Sequence, residues 1–340
     1  MAPSSSNVTR RQGLPMSVLI TAVLWVLLTL SIFPLSQGTL PFHIKLFDER
    51  GTPFLGRILS VESTLLESLV LIGLIFLITL RRPVPDMVAR APALPVARIE
   101  TLSMVGYAIG AQIVGAWLGY AVGHYPISLH MPGTLYGLSG PYTPREAIIW
   151  ASYNVVAYAI LPFAYFRWRG YSLEQLNLRS NNLRADIVLI LIVLVVESTV
   201  EFFSSGTGIL SLSGRQVILG SLLTFVLNLF GTVLPIMIFI YSILLPRYLK
   251  LTGSVALTII LGGLTYALLH VGESWANYSS LSNGLLSFIF ITLQYVGPGM
   301  VKSVLTLRSG SAWVHAWAYH AFEPHVLIDT PTIVGIFHIH

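Results

Sequence analysis

Long apolar runs separated by short polar connections set the pattern of this chain. Eight of them lie at roughly 16–34, 63–80, 102–124, 147–166, 185–205, 217–245, 254–270 and 285–307. Each approaches or exceeds the roughly 20 apolar residues that a helix needs to cross a bilayer. A ninth run, from about 311 to 328, is less apolar and rich in histidine. The runs are continuous, whereas the strands of a transmembrane barrel alternate. The pattern therefore predicts an all-α polytopic membrane helix bundle with eight to nine transmembrane helices. The connections leave no room for an inserted soluble domain. The stretch 83–98 carries Pro83, Pro85, Pro92 and Pro95 and reads as an extended connector. In the third run Gly106, Gly110, Gly115, Gly119 and Gly123 make a small-residue stripe, which predicts close packing on a neighbour.

Composition sharpens this picture. Of 340 residues, 54% are hydrophobic and only 10% charged, where a soluble domain carries about 25% charged residues. The mean hydropathy of +0.77 excludes a water-soluble globular enzyme and a disordered chain alike. No cysteine is present, so disulfide scaffolds, thiolate metal sites and cysteine nucleophiles are excluded. The net charge of +5 is no nucleic-acid signature, because the basic residues follow the connections. The N-terminal tail and the even-numbered connections hold 14 of them, among them Arg81, Arg82, Arg90, Arg98, Arg167, Arg169, Arg179, Arg184 and Arg247. The other connections hold five: Lys45, Arg50, Arg57, Arg145 and Arg215. The positive-inside rule then places the N-terminus in the cytoplasm. The first run lacks a small-x-small cleavage site at Pro34-Leu-Ser36, so it reads as a retained helix.

Ionisable residues inside apolar runs are costly and mark function by default. Here they concentrate in the second half. Glu197 and Glu201 sit four apart and share a helix face. His270 and Glu273 sit three apart, and His320 and Glu323 repeat that spacing, with His315 before them and His325 after. At about 1.5 Å of rise per residue, His270, Glu197 and His320 lie roughly 24, 18 and 14 Å from the arginine-rich side, so they can meet in one cavity. His315 and His320 point about 140° apart on a helix of 3.6 residues per turn. Glu67 is a lone acid in its run and can pair with an arginine at the base of that helix. His338 and His340 read as ordinary tail residues. Two histidines with carboxylates can bind a divalent metal such as zinc. They can equally activate a water and stabilise an oxyanion without one. The spacing leaves both open, and His-Glu-x-x-His, the zinc-protease signature, is absent.

From Arg167 onward the chain resembles the CPBP family of membrane proteins, which includes type II CAAX prenyl endopeptidases and bacteriocin-immunity proteins. Tyr165-Phe-Arg-Trp-Arg-Gly-Tyr-Ser-Leu-Glu-Gln-Leu-Asn-Leu-Arg179 is similar to the segment that precedes the family core. Tyr266-Ala-Leu-Leu-His270 fits the aromatic-x-x-x-His motif. Leu244-Leu-Pro-Arg-Tyr-Leu249 and Thr252-Gly-Ser-Val-Ala-Leu257 resemble the linker before it, and Ser309-Gly-Ser-Ala-Trp313 the lead-in to the last motif. That last motif is met either by His320 or by His325-Val-Leu-Ile-Asp329. The resemblance covers about 160 residues and implies a C-terminal core over 183–340, preceded by about four helices in 1–182. It implies peptide-bond cleavage at the membrane by water that Glu and His activate. The family's paired-Glu motif is missing: Ile236 and Met237 stand in the Glu positions and Tyr241 in the Arg position.

The resemblance thus implies a divergent intramembrane endopeptidase homologue, with His270, His320, Glu273 and Glu197 as catalytic candidates. His270, His320 and Glu323 are candidate ligands for a divalent metal such as zinc. Two other classes stand beside it. One is a non-catalytic immunity factor, chaperone or binding scaffold; the other is a His/Glu metal-binding membrane protein. The expected partners are the lipid bilayer and a membrane protein or peptide substrate, and no nucleic acid.

Overall fold

The computed structural model describes residues 16–320 and 323–340, apart from the side chains of Glu323 and Pro324. Arg10 and Arg11, which entered the charge count, and the side chain of Glu323, a candidate ligand, lie outside the described residues.

The chain forms helices joined by irregular connections, with no strand among the described residues. In order it forms α1 (Met16–Ser36), the short α2 (Lys45–Glu49), α3 (Phe54–Ile78), α4 (Leu94–Val122), α5 (Pro144–Trp168), α6 (Leu183–Ser204), α7 (Gly214–Thr252), α8 (Val255–Leu268), α9 (Leu281–Ser309), α10 (Ala312–Tyr319) and α11 (Ile328–Ile336). Among the described residues seven helices, α1, α3 to α7 and α9, are long and apolar enough to cross a membrane. Their outward faces carry large apolar side chains such as Leu27, Leu66, Trp117, Val195 and Leu222. Water would penalise that surface and lipid does not. The chain is an integral, multi-pass membrane protein.

Two helices start well before their apolar runs. α3 begins at Phe54 rather than near 63, and α4 at Leu94, taking in part of the proline-rich connector. Pro95 falls in the first turn of α4, where a missing N–H costs nothing. α7 runs through Pro235 and Pro246, and two π-helical stretches, Leu229–Val233 and Met237–Leu244, flank Pro235. The proline removes one ladder hydrogen bond, and the wider turns accommodate it.

Two faces bound the bundle. On the first, arginines tie the helix ends together. Arg82 pairs with Asp186 at 2.5 Å, Arg90 binds Asn177 at 2.8 Å and the Gly310 carbonyl, and Arg308 donates to Thr79. Arg247, from the linker that resembles the family, is buried against Glu100, with Nη2 at 2.7 Å and Nε at 2.9 Å from one carboxylate oxygen. On the opposite face the connections 37–53 and 123–143 meet through Lys45 N to Gly137 O and Leu46 N to Leu135 O. The last segment starts at the arginine face, where Ala312 N donates to Asn177 O. It ends at the opposite face, where Gln216 Nε2 donates to Ile339 O. α10, which ends at Tyr319, and the π-helical stretch Glu323–Leu327 that leads into α11 together therefore traverse the bundle.

The glycine stripe of α4 divides in two. Gly106 and Gly110 face open space. Gly119 instead lets the 123–143 connection approach, since a Cβ there would sit against Tyr125 O and Ile127 N; Gly115 faces Ile127 O and Tyr153, and Gly123 faces Glu146, the last two side chains on α5. The neighbours are thus both this connection and the helix α5. Gly119→Ala should cost about 1–3 kcal/mol, since backbone cannot move aside cheaply. The expected result is a lower thermal midpoint for the purified protein in detergent, while Gly106→Ala should leave it unchanged.

Candidate functional site

The connection 123–143 does not stay at the surface. Its stretch Ser128-Leu-His130 enters the bundle beside Asn154, ten residues into α5, which is about 15 Å along the helix. Irregular backbone at such depth needs partners for its polar groups. Trp150 Nε1 and Asn154 Nδ2 each donate to Ser128 O at 2.8 Å, and Thr232 Oγ1 donates to Leu129 O at 2.7 Å. Asn154 also donates to Gly231 O at 2.9 Å. These side chains fix His130 at the centre of an aromatic and histidine cluster. Its ring lies 4.9 Å from that of His270, 5.3 Å from Tyr295 and 6.0 Å from His325.

A cavity of about 600 Å³ opens beside this cluster. Arg50, Ser204 and Ser205 stand at its mouth on the loop face, and Arg50 holds Ser204 O at 2.7 Å. Inside, one wall carries His130, His320 and His325, and another carries Glu67, Glu197 and Glu201. Ligand-capable oxygens of the three carboxylates lie within 4.8 Å of one another. Lys302, from α9, also lines the space, with its ammonium 4.2 Å above the Tyr266 ring and 4.6 Å from that of Tyr319.

The histidine wall has a defined hydrogen-bond order. His325 Nδ1 lies 3.1 Å from Asp329 Oδ2, one helical turn on, and His325 Nε2 lies 3.3 Å from His320 Nε2. An ionised carboxylate only accepts, so His325 Nδ1–H donates to it and His325 Nε2 carries the lone pair. That lone pair accepts from His320 Nε2–H, which leaves the lone pair of His320 on Nδ1. His320 Nδ1 is buried without a hydrogen-bond partner. The arrangement is an Asp-His-His relay that ends in an unpaired nitrogen lone pair.

The remaining candidates fall as follows. Glu197 and His320 line the cavity, and so does Glu67, which faces the other acids rather than an arginine at its helix base. His270 and Glu273 do not line it. They stand behind His130, with Glu273 Oε1 3.3 Å from His130 Nδ1 and the His270 ring stacked at 4.0 Å on Tyr295. The ring of Tyr266 contacts both histidines of the expected pair, at 4.5 Å from His270 and 6.3 Å from His320. The metal-ligand groups among the described residues are His130 with His270 and Glu273, and Glu67 with Glu197 and Glu201. Neither contains His320, and the expected set of His270, His320 and Glu323 includes a side chain that lies outside the described residues.

His315 is apart from the cavity, against Tyr241 and Thr306. Ile236 and Met237 lie in the hydrophobic core and not on the cavity wall. The absent paired Glu therefore leaves no gap in this wall. His130 and Tyr295 escaped the sequence reading. The signal available for His130 was a long connection whose Ile127-Ser-Leu-His-Met131 stretch is too apolar for a plain surface loop.

Comparison with known proteins returns no match to a family model, to a curated protein or to a solved structure.

Proposed function

We propose that this chain is a membrane-embedded hydrolase that cleaves a peptide bond by water activation, in the manner of a divergent CPBP-type endopeptidase. The observation that carries the reading is the Asp329–His325–His320 relay, which ends on the unpaired Nδ1 of His320, a residue that lines a cavity open to the loop face. A base held by a second group, itself held by a third, is the arrangement that water activation needs. His320 Nδ1 takes a proton from a cavity water, and the resulting hydroxide attacks the carbonyl carbon. Asp329 offsets the positive charge that the imidazole pair then carries. The buried ammonium of Lys302 offsets the developing oxyanion. The amine leaves with a proton returned from His320 or delivered by the Glu67, Glu197 and Glu201 group.

The substrate in this reading is a membrane-borne peptide reaching the cavity past Arg50. The test is cleavage of a library of membrane-anchored peptides by the purified protein in liposomes, with products identified by mass spectrometry. Turnover by the wild type is expected. No turnover by folded protein, with substrate presented from either side, would overturn the reading and favour a binding scaffold.

The arginine-tied face is the cytoplasmic one in this reading, because it holds most of the basic residues. The chain has no cysteine, so single cysteines report side cleanly. Ser279→Cys, exposed on the loop face, should react with an impermeant maleimide from outside the cell. Glu174→Cys, exposed on the other face, should react only after lysis. The reverse pattern would invert the orientation.

A further inference from the structure

At the cavity wall and behind it, His130, His270 and Glu273 converge from separate parts of the chain. His130 comes from the inserted connection, and His270 and Glu273 from the turn after α8. Ligand-capable atoms of the three residues lie within 4.8 Å of one another. His270 is fully buried and Glu273 is 2% exposed. His270 Nδ1 lies 2.6 Å from the Tyr266 carbonyl four residues earlier. A carbonyl only accepts, so this nitrogen carries the proton and Nε2 carries the lone pair. That Nε2 has no hydrogen-bond partner, and neither does Glu273 Oε2. Two buried acceptors with nothing to accept from are expensive when left alone. One cation with open coordination positions satisfies both.

We infer that His130, His270 and Glu273 form a binding site for a divalent transition metal, with zinc the cation that the donor set favours. Two neutral imidazoles and one carboxylate make a set of borderline and hard donors that suits zinc. The Tyr266 carbonyl supplies the outer hydrogen bond that fixes the tautomer of a ligating histidine. The Tyr295 hydroxyl, 3.2 Å from His130 Nδ1, and the Glu273 Oε1 contact to His130 N at 3.2 Å hold the third ligand in place. The metal would pin the inserted connection to the helix core, and with it the His130 side of the cavity. This site is separate from the His320 relay and does not depend on the hydrolase reading, since metal content is measured without substrate.

The test is metal analysis of the full-length protein, purified in detergent with a tag that carries no histidine, after dialysis against zinc chloride and then buffer. One zinc per chain is expected. His270→Ala and Glu273→Gln should each lower the retained zinc at least tenfold, while His43→Ala, at an exposed histidine, should retain it. Glu273→Gln keeps size and shape, and a monodisperse elution profile separates ligand loss from unfolding. Cobalt added to metal-free wild type should give the ligand-field absorption of a low-coordinate site, and Glu273→Gln should abolish it. Two results would overturn the inference. One is a wild type that retains no zinc and gives no such cobalt spectrum. The other is zinc that persists in Glu273→Gln and is lost in His320→Ala, which would move the metal to the relay.

Discussion

Replacing His320 with alanine is expected to lower turnover by about 10²–10⁴-fold, the range in which positioned general bases contribute. The size of the effect follows from the order of the relay. His320 Nδ1 is its terminal atom and has no other hydrogen-bond partner, so no protein group shares its task. Asp329→Asn tests the other end. An amide can present its NH₂ to His325, which would turn the tautomer and reverse each donor and acceptor up to His320 Nδ1. That nitrogen would then hold a proton and could not accept one. The expected loss is of the same order, with substrate binding little changed, because neither atom needs to touch the peptide. Rate constants and KM for the two variants, at matched amounts of folded protein, check this. A variant that raised KM with kcat intact would show a binding role instead.

The second large effect lies on the arginine face. Arg247→Met should destabilise the protein by about 3–5 kcal/mol, the cost of removing one member of a buried ion pair, since the other cation near Glu100, Arg169 at 4.0 Å, is half exposed and compensates little. Arg247 is 1% exposed, and its guanidinium has two nitrogens on Glu100. It also lies over the rings of Phe166 and Tyr171, at 4.5 and 5.0 Å. Methionine would keep some of that packing, so the loss isolates the charge. Tyr171 donates to both Glu100 oxygens at 2.8 and 2.9 Å. Burial, with that hydrogen bond next, pushes its phenol up to about 12. Below that pH the hydroxyl stays a donor, so it cannot replace the missing positive charge but keeps the carboxylate partly satisfied. The double variant Arg247→Met with Glu100→Gln should therefore recover much of the loss. Thermal unfolding in detergent across the three variants measures the coupling, and additive losses would show that the pair is not energetically joined.

The membrane character was legible because apolar runs of this length have no other physical use. Helix ends were less so. Hydropathy sees the lipid-facing middle, while α3 and α4 continue through Arg57 and Arg98 into polar surroundings. The cavity was half legible. Glu197 and His320 stood out as ionisable groups among apolar neighbours. The spacing of His325 and Asp329 was visible too, but a spacing does not show which way a broken helix turns its faces. Glu67 looked solitary because its companions, Glu197 and Glu201, are over a hundred residues away. His130 was hidden for a further reason. Its connection carries Pro126, Pro132 and Gly133, the composition of a surface turn. Only the donors on α5 and α7, namely Trp150, Asn154 and Thr232, reveal that its backbone is buried. The apolar Ile236 and Met237 were legible as residues but not as placement. The core takes them up, so their identity does not decide the chemistry of a cavity built from other walls.

Cleavage in heavy-oxygen water tests the central claim most directly, using wild type and His320→Ala in liposomes with the same membrane-anchored peptide. Water activated by the relay should place one heavy oxygen in the new carboxyl terminus of the wild-type product, and the variant should form that product at background rate. Equal product from His320→Ala, or wild-type protein that is folded and forms none, would contradict the account.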